Sequence, residues 1–317
     1  MSPYPFHIVN KPSQQQWQQV IHLIVKELDW SNSIEDLNSW MDAFPAGDFC
    51  LYMAIENSSG KVLGTITRAN YKTNGLEPIS TIGLFYIRPE YRGNAIGSTL
   101  WTAAMEHCVD NKFLFGAEKM WRKYADKSGF SQFPTWKVNV TAICCSNLNP
   151  TTLEQQPLAS ELSLKSWSEV SFKSICEFDQ HLLNGIDRSM YLTSFLRQNE
   201  STTKVIKNDS TGEVTGICRI RKIIGGNLEV GPFYSTTEHS GGLLLAATLQ
   251  TMTDWRDQTN IYFKLPSNNE SAQNLVQRLG QGTHKLEYVL TPQYTKQILQ
   301  IDTKLVYSVT ETDVALL

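Results

Sequence analysis

The sequence predicts an α/β (α+β) chain built as two lobes of like element order. Three observations carry that prediction. An apolar strand runs through a small-residue loop into an amphipathic helix between Thr81 and Cys108. The elements around that unit recur, in the same order, in the second half of the chain. The 317 residues, 41% hydrophobic and 19% charged, are enough to bury two cores.

The strand of the central unit is Ile82 to Ile87, rich in β-branched and aromatic residues. Pro89 ends it, because proline cannot donate to a sheet ladder. Arg92-Gly93-Asn94-Ala95-Ile96-Gly97 follows, a loop of small residues with a cation at its mouth. The next helix starts near Gly97 and carries Leu100, Trp101, Ala104, Met105 and Cys108 on one face. Strand, glycine loop and helix together suit phosphate, since unpaired amides and the helix dipole both favour an anion there. The spacing excludes the G-x-x-x-x-G-K-[ST] loop of nucleoside triphosphate sites and the G-x-G-x-x-G fingerprint of dinucleotide sites.

The remaining elements follow from local patterns. Phe6 to Val9 alternates as a first strand. Ser13 caps a helix to Asp29 whose stripe is Trp17, Val20, Ile21, Ile24, Val25 and Leu28, and Ser33 to Phe44 reads as a second helix. Phe49–Glu56 and Val62–Ala69 form a hairpin across Asn57-Ser58-Ser59-Gly60. Tyr71 to Pro78 is a polar loop. After the central unit come a short strand at Phe113–Phe115, a helix Glu118–Ser128 stopped by Gly129, and a strand over Trp136–Ile143. Residues 1–147 thus read as one domain and 148–168, rich in Asn, Gln, Pro, Ser and Thr, as a linker. Residues 169–292 repeat the order: helices Phe172–Asn184 and Arg188–Gln198, strands Thr203–Asn208, Glu213–Ile223 and Leu228–Tyr234, then Gly241-Gly242 opening a helix to Trp255. A strand Ile261–Leu265, a helix Ala272–Leu279 and a strand Lys285–Leu290 complete it. No arginine precedes the glycine pair. The tail, 293–317, carries one more strand at Lys304–Val309.

Bulk properties exclude several function classes. A net charge of −3 implies no broad basic field, so nucleic acid is not an expected partner. No apolar run approaches twenty residues, so no membrane span is expected. The six cysteines lack C-x-x-C spacing and sit mostly in apolar segments, which reads as reduced thiol rather than a disulfide framework or zinc site. Met1 to Pro12 resembles neither a signal nor a transit peptide, so a cytoplasmic protein is expected. The six histidines show no ligand spacing, and no metal is expected. The Cys144-Cys145 pair ends an apolar strand and reads as buried. His239, near Gly241, is the one histidine beside a candidate cleft.

Pro-x-x-Arg-Gly-x-x-Ile-Gly after a strand resembles the acyl-CoA pyrophosphate loop of GNAT-type N-acyltransferases, whose pattern is [QR]-x-x-G-x-[GA]. Ala95 occupies the first small position, where a positive φ would cost about 1 kcal/mol. The element order over residues 6–145 is similar to that fold throughout. Gly231-Pro232-Phe233-Tyr234 and Pro266-x-x-Asn269-x-x-Ala272 resemble the two-lobed GNAT subgroup with a YitH/HolE-type C-terminal half. The resemblance implies two tandem lobes, each a mixed, mostly antiparallel twisted sheet flanked by helices.

It also implies roles. Arg92, Gly93, Asn94, Ala95, Ile96, Gly97 and Ser98 would hold the pyrophosphate of acetyl-CoA or another short acyl-CoA. The backbone of Phe85, Tyr86, Ile87 and Arg88 would align the acyl-pantetheine arm. Tyr124, five residues before Gly129 where the family places its tyrosine four before, would protonate the leaving thiolate. Glu90 and Glu56 are the weak candidates for a base. The reaction expected is transfer of an acetyl or short acyl group to an amine, a small molecule, by direct attack in a ternary complex. Two alternatives stay open: an acyl-CoA-binding sensor without turnover, and a protein lysine or N-terminal acetyltransferase. Oligomeric state is left open.

Overall fold

A computed structural model describes residues 5–27, 30–73, 77–154 and 156–317. The first half runs β1 (Phe6–Val9), α1 (Gln14–Glu27), α2 (Asp36–Ala43), β2 (Phe49–Glu56), β3 (Val62–Tyr71), β4 (Ile79–Ile87), α3 (Ile96–Met105), β5 (Asn111–Ala117), α4 (Trp121–Ser128) and β6 (Val138–Cys144). The second runs β7 (Leu162–Ser166), α5 (Phe172–Leu182), α6 (Ser189–Leu196), β8 (Ser201–Asn208), β9 (Val214–Ile223), β10 (Asn227–Ser235), α7 (Glu238–Thr251), β11 (Asn260–Pro266), α8 (Glu270–Leu279) and β12 (Lys285–Tyr294), with β13 (Val306–Ser308) in the tail. Leu162–Ser166, inside the polar connector, is thus a strand that pairs antiparallel with β8. The predicted stripe residue Leu28 and helix end Asp29 lie outside the described residues, as does the side chain of Val25.

Local chemistry explains the elements. Ser13 and Gln16 cap α1 reciprocally: the Gln16 amide donates to Ser13 Oγ at 3.2 Å and the Ser13 amide to Gln16 Oε1 at 2.8 Å. Trp17 of α1 meets Trp40 of α2 edge-on at 5.6 Å, with both rings buried. Gly129 ends α4 at φ 76°, a left-handed position that favours glycine.

The thirteen strands of the described residues join one sheet, in the order β1-β2-β3-β4-β5-β12-β6-β11-β10-β9-β8-β7, with β13 attached to β10. The two halves exchange their last strands. β12, from the second half, pairs with β5 of the first, from Leu290↔Ala117 to Tyr294↔Phe113. β6, from the first half, pairs with β11 of the second, from Asn260↔Cys144 to Pro266↔Val138. β6 and β12 also pair with each other. Each lobe is therefore closed by the other half's strand, and separating the halves would leave both with open sheet edges.

The tail binds both lobes. β13 runs antiparallel to β10, and just past it Val309 donates to the Lys264 carbonyl of β11 at 3.0 Å. The chain then crosses under β3 and β4. Thr67 Oγ1 donates to the Asp313 carbonyl at 2.9 Å, and Thr81 Oγ1 and Tyr71 Oη donate to the Val314 carbonyl at 2.8 and 3.0 Å. Glu311 folds the tail on itself, accepting from the amides of Asp313, Val314 and Ala315. Val314 to Leu317 are buried. Two close approaches demand glycine. A Cβ on Gly83 would lie 2.0 Å from the Asp313 carbonyl oxygen, and one on Gly231 would lie 2.4 Å from that of Val309.

A buried ionic network also spans the halves. Arg221 of β9 donates to Glu229 of β10 at 2.6 Å, to Asp36 of α2, to Gln198 at 3.1 Å and to the Ser31 carbonyl at 3.2 Å. Lys264 of β11 pairs with Glu229 as well. Charges this deep persist only because each has partners.

Candidate active site

β4 and β5 lie parallel but touch only from Ile79↔Asn111 to Ile82↔Leu114. Beyond Ile82 they diverge. The cause is a bulge: the β3–β4 register passes from Thr67↔Gly83 to Thr65↔Tyr86, and Leu84 adopts φ 47°. Thr65 Oγ1 steadies the bulge by donating to the Leu84 carbonyl at 2.8 Å. The result is a cavity of about 270 Å³ at the junction of the halves, lined among others by Phe85, Trp101, Tyr124, Tyr288, Lys264 and Asp313.

The four strand residues divide by the two-residue alternation of a sheet. The Arg88 amide is committed to the Leu63 carbonyl at 3.0 Å, and its guanidinium Nε donates to the Val62 carbonyl at 2.6 Å. Tyr86 pairs with Thr65 and bonds Glu27 through its hydroxyl. Tyr86 and Arg88 therefore turn their backbone toward β3, which leaves Phe85 and Ile87 to face the open edge.

The cleft leads to the loop. Pro89–Tyr91 makes a 3₁₀ turn, Gly93 sits at φ 82°, and α3 starts at Ile96. Ala95 is right-handed, at φ −66° and ψ −8°, so alanine carries no strain there. No side chain caps α3 and no acidic residue lies in its first turn. The first amides of the helix therefore have no partner within it. Arg92 is exposed beside them, its Nε donating to the Ile87 carbonyl at 3.0 Å. α3 packs on the strand at Gly97, where a Cβ would lie 3.5 Å from Ile87, an ordinary van der Waals contact.

Tyr124 of α4 stacks on Trp101 of α3, with ring centres 5.3 Å apart and planes 11° apart, and Trp101 packs on Phe85 at 5.4 Å. Burial pushes the Tyr124 phenol well above its ordinary range, so it stays protonated at neutral pH. Neither weak base candidate lines the cavity: Glu90 pairs with Lys61 at 3.1 Å, and Glu56 bonds Ser59. His239 is exposed and bonds the Pro157 carbonyl at 3.0 Å. Cys144 is exposed where the sequence suggested burial, and Cys145 is buried. Ser31, Asn32, Lys264 and Asp313 reach this cleft from segments that the sequence reading left without a functional role. The one available signal was a pair of acids, Glu311 and Asp313, set between apolar runs of the tail.

The second lobe has the same parts, all occupied. β10 and β11 touch from Leu228↔Ile261 to Val230↔Phe263 and then diverge at Gly231. β13 fills the gap: Ser308 Oγ accepts from the Lys264 amide at 2.9 Å and donates to the Val230 carbonyl at 2.6 Å. At the start of α7, Thr237 caps the helix by accepting from the Ser240 amide at 3.1 Å. Glu238 adds negative charge in the first turn. A Cβ on Gly242 would lie 3.3 Å from the Leu153 carbonyl, so this end is also covered by chain.

Comparison with known proteins agrees with this duplication. A model of the acetyltransferase (GNAT) family matches residues 17–128, and a model of an acetyltransferase (GNAT) domain matches residues 175–300. The chain belongs to the GNAT superfamily, as a two-lobed member. Solved structures share the whole architecture. A tandem GNAT protein from the clavulanic acid biosynthesis pathway is 14% identical, with 92% of this chain and 97% of that one covered at a TM-score of 0.65. A candidate acetyltransferase from Pyrococcus horikoshii is 12% identical over 98% of this chain and 96% of that one, with a TM-score of 0.69. An N-acetyltransferase from Sphaerobacter thermophilus is 14% identical over 93% and 96%, with a TM-score of 0.55. At these identities the likeness is one of fold. No curated protein matches the chain. Among the described residues of this GNAT protein, no helix is long and apolar enough to cross a membrane.

Proposed function

We propose that the protein transfers an acetyl or short acyl group from acyl-CoA to the amine of a small molecule, using the first lobe alone. One observation carries the reading. In the first lobe an open strand edge leads directly to an uncapped helix start with Arg92 at its mouth, whereas the matching edge and helix start of the second lobe are filled by the chain itself. A thioester arm can pair with Phe85 and Ile87, and a diphosphate can take the amides of Asn94 to Ser98. The cavity of about 270 Å³ suits a small acceptor. The strings Gly231-Pro232-Phe233-Tyr234 and Pro266-x-x-Asn269 support the YitH/HolE-type subgroup.

Acetyl-CoA, when bound, supplies the activated carbonyl. The residues of the chain hold it, exclude water and move protons. An amide of the open β4 edge is available to the carbonyl oxygen as charge grows there. Tyr124, neutral and walled by Trp101 and Phe130, is the donor for the departing sulfur. Thiol release from acetyl-CoA across a panel of amines tests the function. Tyr124→Phe is expected to lower turnover on the order of a hundredfold while leaving acetyl-CoA affinity unchanged. Unchanged turnover would remove Tyr124 from the reaction. Binding without release on any amine would favour a sensor.

A further inference from the structure

The floor of the cleft is built from Ser31, Asn32 and Asp313, which all line the cavity. Asn32 is 1% exposed and Ser31 8%, and neither Asn32 Oδ1 nor Ser31 Oγ finds a hydrogen-bond partner among the described residues. Buried oxygens left in that state cost about 1–3 kcal/mol each, so they mark a place where a ligand donates. Asp313 is half-buried between them and the bulge. Asn32 Nδ2 donates to its Oδ2 at 2.7 Å, and the Leu84 amide also donates to its carboxylate.

The charges around this floor do not balance. Asp36 from α2, Glu229 from β10, and Glu311 and Asp313 from the tail face Arg219 and Arg221 from β9 and Lys264 from β11. Among the described residues that is four carboxylates against three cations when all are ionised. The other titratable neighbours do not close the gap. Arg188 is matched by Asp179 at 2.6 Å, and burial keeps Tyr71, Tyr191 and Tyr124 protonated. Glu118, at the exposed rim, adds another negative charge. Burial first and the neighbouring Asp313 next push the Glu311 carboxyl up to about 7. Burial likewise raises Asp313 above the usual carboxylate range, against the pull of Asn32 and Lys264.

We propose that Ser31, Asn32 and Asp313 seat the acceptor as a primary ammonium, and that the Asp313 carboxylate takes its first proton. This rests on the transferase reading above and names the acceptor class and the base for it. An ammonium has three N–H donors, and the floor offers three oxygen acceptors. It also supplies the positive charge that lets Glu311 and Asp313 ionise together. Trp30, Phe115 and Tyr288 line the same cavity, so the group carrying the amine is apolar or aromatic, and a cation over such rings gains further. The proton balance is complete. The ammonium gives one proton to Asp313. The neutral nitrogen attacks the thioester carbonyl, the C–N bond forms and the C–S bond breaks. The thiolate takes a proton from Tyr124, which recovers one from the nitrogen of the new amide, and Asp313 loses its proton to solvent.

Phenethylamine and its neutral analogue phenethyl alcohol test the seat by calorimetric titration into the CoA-loaded protein. The amine is expected to bind roughly tenfold to a hundredfold more tightly than the alcohol. Asp313→Asn is expected to erase that preference, leave acetyl-CoA affinity unchanged, and cut thiol release with phenethylamine on the order of a hundredfold. Equal affinity for amine and alcohol in the unaltered protein overturns the inference without any variant being needed, as does an Asp313→Asn protein that keeps the preference. Should Asp313→Asn fail to fold, Ser31→Ala is the milder variant, expected to weaken the amine several-fold and the alcohol not at all; an equal loss for both also overturns it. Failure of the unaltered protein to bind acetyl-CoA would instead remove the transferase reading.

Discussion

Arg221→Met is expected to destabilise the protein by roughly 3–5 kcal/mol. Arg221 is 2% exposed and holds four groups at once: the carboxylates of Glu229 and Asp36, the Gln198 amide oxygen and the Ser31 carbonyl. Methionine fills much of the volume but supplies no donor. Two buried carboxylates, both fully shielded from water, then face each other with Lys264 on Glu229 and Arg219 near Asp36 as the remaining cations. Urea unfolding reads the loss as a lower midpoint at unchanged slope. Adding Asp36→Asn and Glu229→Gln should recover part of it, because those changes remove the uncompensated charge. A loss under about 1 kcal/mol would mean that the network is hydrated rather than sealed. The same residues join α2 of the first half to β9 and β10 of the second, so the variant should also loosen the cleft floor through Ser31.

Gly83→Val is expected to cost at least the upper end of the ~1–3 kcal/mol of ordinary overpacking. The Cβ would fall 2.0 Å from the Asp313 carbonyl oxygen and 2.5 Å from its Cα, and both contacts are backbone, which cannot rotate away. Either β4 or the tail must move. The tail is tied to Thr67, Thr81 and Tyr71 by hydrogen bonds, so its displacement also breaks those. The expected signature is double: a lowered unfolding midpoint, and loss of amine affinity out of proportion to any loss of acetyl-CoA affinity. A valine variant with parental stability would show that the tail does not press on the bulge.

Much of the first lobe was legible because its signals are local. The strand Ile82–Ile87, the turn at Pro89 and the helix after Gly97 depend on residues within a few positions of one another, and the loop they form stands where the spacing put it. Capping of α1 by Ser13 and of α4 by Gly129 is of the same kind. The strand exchange is different. β6 and β12 each read as the closing strand of their own half, and nothing in their alternation says that β12 will pair with β5 across more than 170 residues of chain. The tail was the hardest part. Its strand was visible at Lys304–Val309, but its place in the second lobe's gap depends on Gly231 and on the divergence of β10 from β11. The floor of the cleft joins residue 32 to residue 313, a pairing that no periodicity encodes.

That occupied gap also explains why the second lobe lacks the arginine of the first. With β13 along β10 and Thr237 capping α7, an arginine there would have no phosphate to meet. The duplication has been divided: one copy keeps an open edge, and the other uses its own tail to carry Asp313 to it.

Calorimetric titration of acetyl-CoA into the parent and into Arg92→Glu measures the central claim most directly. One site per chain is predicted for the parent, with affinity falling roughly tenfold to a hundredfold in the variant, since a charge at the mouth of the helix start changes from attraction to repulsion. Two sites per chain, or a folded Arg92→Glu protein that binds as the parent does, would contradict it.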